Sequence, residues 1–164
     1  MNGPIPAFPF VLEREAIEQL LPHRGPIFAC KRLVANGPRT FTATASWAHD
    51  NAIIAGHFPG EPIVPGVMLI EAATQLAGAG LLSADPYSRA MSGDRIGVLA
   101  TVRRCVFKRP VLPDQDVVFE LGCRQMGPSA VQITAQATVH GHEVAQLETL
   151  MAYVERAKLA IPAS

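Results

Sequence analysis

Residues 67–82, VMLIEAATQLAGAGLL, predict a helix that is apolar on nearly every side. Pro65, just before it, fits the first turn of a helix, where the N–H that proline lacks would have no partner. A helix that is apolar all round has to be enclosed by other elements of the fold. The rest of the chain must therefore supply a cover that surrounds one helix.

Strand patterns lie on both sides of this helix in the sequence. The predicted strands are residues 27–34, 40–47, 96–108, 117–125, 130–140 and 143–154. In 40–47, TFTATASW, apolar and Thr or Ser side chains alternate strictly, as in a strand with one buried face. Short turns such as Asn36-Gly37-Pro38 separate the strands and favour antiparallel pairing.

These elements predict an α+β fold, an antiparallel sheet of about six strands wrapped around one long central helix. A short amphipathic helix over residues 12–21 precedes the sheet, and residues 83–95 predict a loop. We expect a single domain over residues 1–164, with a proline-rich lead at 1–11 and a tail at 155–164. One edge of such a sheet stays open, which favours dimerisation.

The composition argues against several classes of function. Lys plus Arg and Asp plus Glu balance at 14 each, so no charge excess favours nucleic acid or a membrane surface. The three cysteines lie far apart without metal-ligand spacing, which indicates reduced cysteines in a cytoplasmic protein. Glu71, in the middle of the longest apolar stretch, argues against a transmembrane helix.

Glu71 is the unusual residue of the predicted helix, because an ionised carboxylate buried without partners is strongly unfavourable. Gln75 stands one turn later on the same face, where its amide can hydrogen-bond the carboxylate. Glu71 could simply lie on a solvent-exposed face of the helix or pair with an arginine. A polar pair on one stripe of an apolar helix also indicates the wall of a cavity.

His57 lies in the turn GHFPG, residues 56–60, just before this helix. A lone histidine in a loop is more often a surface or structural residue. Here the turn brings it near the start of the helix that carries Glu71. A histidine base opposite a carboxylic acid is the pairing that an elimination or a hydration requires.

The start of the helix, Pro65-Gly66-Val67, is a third candidate component. The first N–H groups of a helix have no internal partner and lie at the positive end of its dipole. They can hold a carbonyl oxygen that gains negative charge, and Gly66 would let a substrate approach closely. The alternative is that Pro65-Gly66 only starts the helix.

Residues 56–75 carry the pattern G-H-F-P-G-x-P-x-x-P-G-V-x-x-x-E-A-x-x-Q. This pattern resembles the signature of the 3-hydroxyacyl-[acyl-carrier-protein] dehydratases of type II fatty-acid synthesis, a hot-dog-fold family. Leu21-Pro22-His23-Arg24 is similar to the opening of that family, and residues 107–113 are similar to one of its strand ends. The resemblance spans residues 17–154, and Glu71 stands where the related isomerising dehydratases use Asp. The glutamate at this position indicates the branch of the family that dehydrates without isomerising.

The resemblance implies a hydro-lyase that converts (3R)-3-hydroxyacyl thioesters to trans-2-enoyl thioesters in fatty-acid or related acyl-chain synthesis. His57 would remove the α-proton, and Glu71 would protonate the departing 3-hydroxyl. The Gly66 amide would support the thioester oxygen. The resemblance implies four substrate-binding residues, Phe58, Gly66, Val67 and Gln75. Gln75 would also orient Glu71.

The same resemblance implies that no metal or redox cofactor is needed, because the substrate arrives on the phosphopantetheine of acyl carrier protein. It also implies a homodimer, alone or in a trimer of dimers, with His57 and Glu71 supplied by opposite subunits. Basic residues near one strand end are candidates for receiving the acidic carrier protein, although a solvated strand end would have the same composition. They are Arg103, Arg104, Lys108 and Arg109.

Several positions depart from the family pattern. Lys31 stands where Asp is usual, Ala52 where a glutamate is common, and Asp114-Gln115 where Gly-Asp is usual. Three alternatives therefore stay open. They are a dehydratase dedicated to a polyene, polyketide or other specialised product, a thioesterase of the same fold, and a non-catalytic protein that binds acyl chains or a partner subunit. The spacing of His57 and Glu71 argues against the thioesterase.

Overall fold

The structure, a computed structural model, describes residues 3–159 and shows a seven-stranded sheet around a long helix. The strands are β1 (Phe10–Glu13), β2 (Cys30–Gly37), β3 (Thr40–Ala45), β4 (Arg95–Phe107), β5 (Val117–Gln125), β6 (Ala130–Val139) and β7 (His142–Glu155). The helices are α1 (Arg14–Leu20), α2 (Ala52–His57), α3 (Gly66–Ala84) and α4 (Pro86–Met91). Short 3₁₀ turns lie at Gly25–Ile27 and Arg156–Leu159.

The strand order is β1-β2-β3-β5-β6-β7-β4, and every neighbouring pair is antiparallel. The turn between β6 and β7 consists of His140 and Gly141, with φ angles of 50° and 77°. Two left-handed residues give the hairpin turn that matches the twist of the strands. The order leaves β1 and β4 at the two edges of the sheet.

Helix α3 packs against strands β2 to β7, which confirms the predicted sheet around one central helix. It begins at Gly66 with Pro65 as its N-cap, as the sequence predicts. Alternate strand residues face the helix. Examples are Phe41 and Ala43 of β3, whereas Thr42 between them faces outward and bonds Glu120. The alternation along each strand therefore separates the core from the outer face.

By length and composition, α3 could cross a bilayer, since it has 19 residues and an 18-residue window with a mean hydropathy of 1.4. However, 67% of that window is buried inside the fold, as in the core helix of many soluble proteins. The buried residues include Met68, Leu69, Ala72 and Leu76. Burial against the sheet explains the apolar composition of α3.

The structure corrects the sequence analysis at three short elements. Leu12 and Glu13, predicted to begin a helix, belong to strand β1, where Leu12 pairs with Leu33 of β2. Consequently the first helix starts only at Arg14. Helix α2 includes Gly56 and His57, which were predicted to lie in a turn, and the side chain of Asn51 accepts a hydrogen bond from the Ile53 amide at its start.

Helix α4 lies within residues 83–95, where a loop was predicted. Asp85 caps it by accepting hydrogen bonds from the Ser88 amide and hydroxyl. Arg39 of the β2–β3 hairpin donates to the same Asp85 side chain, at 3.0 Å. The buried carboxylate thus ties this hairpin to the end of α3.

The three cysteines form no disulfide bond with one another. Cys30 on β2 is fully buried, and burial raises the pKa of its thiol from 9.0 to about 12. The folded chain therefore holds the proton of Cys30 more tightly than the unfolded chain does.

This difference predicts how stability depends on pH. Below pH 9.0 both the folded and the unfolded chain keep the proton. Between pH 9.0 and about 12 only the unfolded chain releases it, which stabilises the unfolded chain relative to the folded one. The free energy of unfolding should therefore fall over this range, and the fall should be shallower in Cys30→Ala. Urea unfolding at a series of pH values measures both slopes. Leu33→Val, which disturbs the same strand but keeps the thiol, should retain the steep slope.

Candidate active site

A cavity of about 450 Å³ lies along one face of α3. The helix contributes Glu71, Thr74, Gln75, Gly78 and Leu82, which recur at the spacing of a single helical face. The opposite wall comes from the start of β4 and the end of β7, and the loop after α1 closes one side. The size is that of a small-molecule site. The polar stripe of α3 does line a cavity, as the sequence indicated.

Gln75 is held by three hydrogen bonds. Its Nε2 atom donates to the carbonyl of Ile27 at 3.1 Å and to Oε1 of Glu71 at 2.9 Å. Its Oε1 atom accepts from the Cys30 thiol at 3.7 Å. A carbonyl can only accept, so the Ile27 contact fixes the amide nitrogen toward Glu71.

These contacts distinguish the two carboxyl oxygens of Glu71. Oε1 accepts from Gln75, so a proton on a neutral Glu71 belongs on Oε2. The side chain of Glu71 is 31% exposed, at the cavity wall. The Glu71 carboxyl group can therefore contact a molecule in the cavity.

His23 is a neighbour of Glu71 to which sequence reasoning assigned no role. Its Nε2 atom lies 3.5 Å from Oε1 of Glu71, and both residues line the cavity. Arg24 stiffens this loop by donating to the carbonyls of Leu21, at 2.7 Å, and His23, at 2.6 Å. The Leu21-Pro22-His23-Arg24 motif marked these residues, but only the fold brings His23 to Glu71.

His57 ends α2 and is exposed to solvent. Its Nδ1 atom lies 3.1 Å from the carbonyl of Ile63. Because that carbonyl can only accept, a neutral ring carries its proton on Nδ1 and has a free lone pair on Nε2. This is the tautomer that a proton-abstracting base needs.

The segment after His57 is fixed at two points. The Glu61 amide donates to the carbonyl of Phe58 at 3.0 Å, and the Val64 amide donates to the carbonyl of Val111 at 2.9 Å. The Phe58 ring packs on the His57 ring, with 4.1 Å between centroids, and 51% of Phe58 is exposed. His57 and Phe58 are thus presented together on the surface.

Within the described part of one chain, His57 is not among the residues that line the cavity of Glu71. The proposed base and the proposed acid therefore lie in different places on the same protomer.

At the start of α3, Val67 is 68% exposed and Gly66 is half-buried. A Cβ atom on Gly66 would lie 2.6 Å from the ring of Phe107. The missing side chain of Gly66 thus makes room for Phe107 at the end of β4. A larger residue at this position would force the exposed Phe107 ring to move.

The four basic residues predicted to receive a carrier protein lie outside the cavity lining. Arg103 approaches Glu148 at 3.7 Å, and Lys108 pairs with Glu143. Arg104 lies on the outer face of the sheet and Arg109 is exposed. The cations that do line the cavity are Arg95 and Arg156.

Over residues 3–159, no group of three or more His, Cys, Asp or Glu side chains could hold a metal ion. The prediction that the reaction needs no cofactor stays a prediction.

Known sequences that this chain resembles are named as dehydratases. The sequence model of the ApeI-like family, described as ApeI dehydratase, matches residues 34–143. A 3-hydroxyacyl-[acyl-carrier-protein] dehydratase FabZ from Listeria welshimeri is 30% identical over 143 residues, covering 87% of this chain and 96% of that protein. The protein of the same name from Polynucleobacter asymbioticus is 33% identical over 139 residues, covering 84% and 90%.

Solved structures share the fold. The dehydratase heterocomplex ApeI:P from Xenorhabdus doucetiae matches with a TM-score of 0.69 at 12% identity, over 87% of this chain and 93% of that chain. A hypothetical thioesterase with coenzyme A from Streptococcus pneumoniae TIGR4 matches with a TM-score of 0.52 at 12% identity, over 73% and 81%. These matches confirm the predicted hot-dog fold.

Proposed function

The chain belongs to the ApeI-like dehydratase family, and we propose that it removes water from (3R)-3-hydroxyacyl-[acyl-carrier-protein] thioesters to form trans-2-enoyl thioesters. The observation that carries this proposal is the carboxyl group of Glu71. It lies in the wall of a cavity of suitable size, and Gln75 holds one of its oxygens.

In the proposed reaction, Nε2 of His57 takes the proton from the carbon next to the thioester carbonyl. The Nδ1 contact to Ile63 leaves that lone pair free and holds the ring once it becomes cationic. The electrons of the broken C–H bond form the double bond as the 3-hydroxyl leaves. Glu71 protonates the hydroxyl from Oε2, so water departs and the two groups then return to their starting protonation.

The amides at the start of α3 would support the thioester oxygen as it gains charge. Such amides lack partners inside the helix and lie at the positive end of its dipole. The Phe107 ring beside Gly66 narrows the approach to this point. Phe58 and Val67, both exposed and apolar, would contact the bound thioester.

The active unit would be a dimer, with His57 of one subunit facing Glu71 of the other. His57 lies outside the cavity of Glu71 in its own chain, which supports a site completed by a second copy. The edge strand β4 offers a surface for that copy. Its unpaired edge carries exposed Leu99, Val102 and Phe107. Whether such dimers form a trimer does not affect the site.

Acyl carrier protein would bring the substrate on phosphopantetheine, which carries a phosphate. The predicted patch of Arg103, Arg104, Lys108 and Arg109 would serve the acidic protein surface itself. We place the enzyme in the cytoplasm together with its carrier protein.

A dehydratase of a specialised pathway is the second candidate, because residues 25–32, which include Lys31 and Cys30, depart from the family pattern. The departure at Lys31 does not bear on this choice, since Lys31 forms a surface ion pair with Asp116 at 2.7 Å. At Cys30, however, the thiol contacts Gln75. Both candidates share the same proton transfers.

The first test is the acid. Glu71→Gln keeps the shape of the side chain but removes its acidic proton, so turnover should fall about a hundredfold or more. The enoyl thioester is followed by ultraviolet absorbance with a (3R)-3-hydroxyacyl carrier protein. His57→Ala should lose activity to a similar degree, whereas Glu61→Gln, an exposed carboxylate nearby, should match the wild type. Wild-type turnover by Glu71→Gln would rule out Glu71 as the acid.

Complementation tests the shared site. Co-expressed His57→Ala and Glu71→Gln subunits form mixed dimers in which one site has both groups intact. Random pairing should restore up to about a quarter of wild-type activity. Equally inactive mixtures, in which native mass spectrometry shows mixed dimers, would place both groups in one subunit.

His23 should act as a positioning residue for Glu71. His23→Leu removes the Nε2 contact to Oε1 of Glu71 and should lower kcat about tenfold with little change in KM, as expected when the carboxyl group loses one polar neighbour. His23→Gln can still donate and should recover most of the loss. If both variants fall equally while their melting temperatures stay normal, the contact to Glu71 is not what His23 contributes.

A further inference from the structure

Helix α3 contains three glycines, Gly66, Gly78 and Gly80. Glycine inside a helix is less favourable than alanine, because its backbone loses more freedom on folding. A glycine in the helix interior therefore needs a reason, and packing is the first to examine.

Packing explains Gly80 but not Gly78. A Cβ atom on Gly80 would lie 2.7 Å from the ring of Phe41, which cannot be accommodated without movement. A Cβ atom on Gly78 would meet only Cδ2 of Leu21, at 3.8 Å, which is ordinary van der Waals contact. Alanine would therefore fit at 78, and the glycine there costs helix stability without a packing gain.

Gly78 faces the cavity. It lies on the face of α3 that carries Glu71 and Gln75, and it lines the same cavity. Gly78 follows Glu71 by two turns, or about 10 Å along the helix axis. Any side chain at 78 would occupy the cavity beyond the point at which Glu71 acts.

The lining of this cavity is mainly apolar. It includes Leu20, Leu82, Ile96 and Met151, together with the charged Arg95 and Arg156. An apolar space beyond the proton donor suits the tail of an acyl chain, which gains free energy by leaving water.

We infer that Gly78 determines acyl-chain length by keeping the cavity open beyond Glu71, so that the substrates are thioesters with tails reaching about 10 Å past the reacting carbons. This inference rests on the proposed dehydration. It assigns medium and long acyl chains, rather than the shortest ones, to the same site.

The test compares 3-hydroxybutyryl with 3-hydroxydodecanoyl carrier protein, as kcat/KM, for wild type and Gly78→Leu. The wild type should turn over both substrates. Gly78→Leu should keep the short substrate and lose the long one, with their ratio changed at least about tenfold, because the new side chain fills space that only the long tail needs. Gly80→Ala, outside the lining, should keep the wild-type ratio.

Gly78→Ala tests whether the glycine contributes to the stability of the fold. Its melting temperature should equal or exceed that of the wild type, whereas Gly80→Ala should melt lower. An unchanged substrate ratio in folded Gly78→Leu would overturn the inference, as would a wild type that accepts only the short substrate. A lower melting temperature for Gly78→Ala would show a packing role instead. A wild type inactive on both substrates would contradict the proposed dehydration itself.

Discussion

The hydrogen bonds of Gln75 make it possible for Glu71 to lie within an apolar helix. The carbonyl of Ile27 and the thiol of Cys30 fix the Gln75 amide, and the amide fixes one oxygen of Glu71. Without these partners the polar groups would destabilise the packing of α3 against the sheet. The same contacts hold Glu71 in the wall of the cavity. One network thus stabilises the polar pair and, in the proposed mechanism, also positions the acid.

The long elements of the fold could be predicted because their patterns repeat over many residues. Strand β5 has the predicted ends, Val117 and Gln125, and α3 begins at Gly66, one of the two starts, Pro65 or Gly66, that the sequence predicts. Strand β1 could not be predicted, since its four residues are extended only through pairing with β2. The short helices α2 and α4 depend in the same way on local caps and neighbouring elements, although Asn51 and Pro86 are recognisable signals.

The candidate site was visible in the sequence only where its parts are close along the chain. Glu71 and Gln75 are one helical turn apart, so their contact follows from helix geometry. The contact of His23 with Glu71 joins residues far apart in sequence and needs the loop after α1 to fold over α3. The sequence could not distinguish Gly78 from Gly80 either. Both are glycines of the same helix, and they differ only in the side chains that lie next to them in the fold.

The proposed division of the reacting groups between two subunits is consistent with the same architecture. Enclosing α3 on nearly all sides leaves its polar stripe facing a cavity, and Glu71 lies in that wall. The turn that carries His57 cannot enter this enclosure, because hydrogen bonds to Ile63 and Val111 hold the segment on the outside. A second copy along β4 would bury the exposed apolar residues of that edge and bring an outer histidine to an inner carboxyl group. Assembly would then complete the site without any rearrangement of either chain.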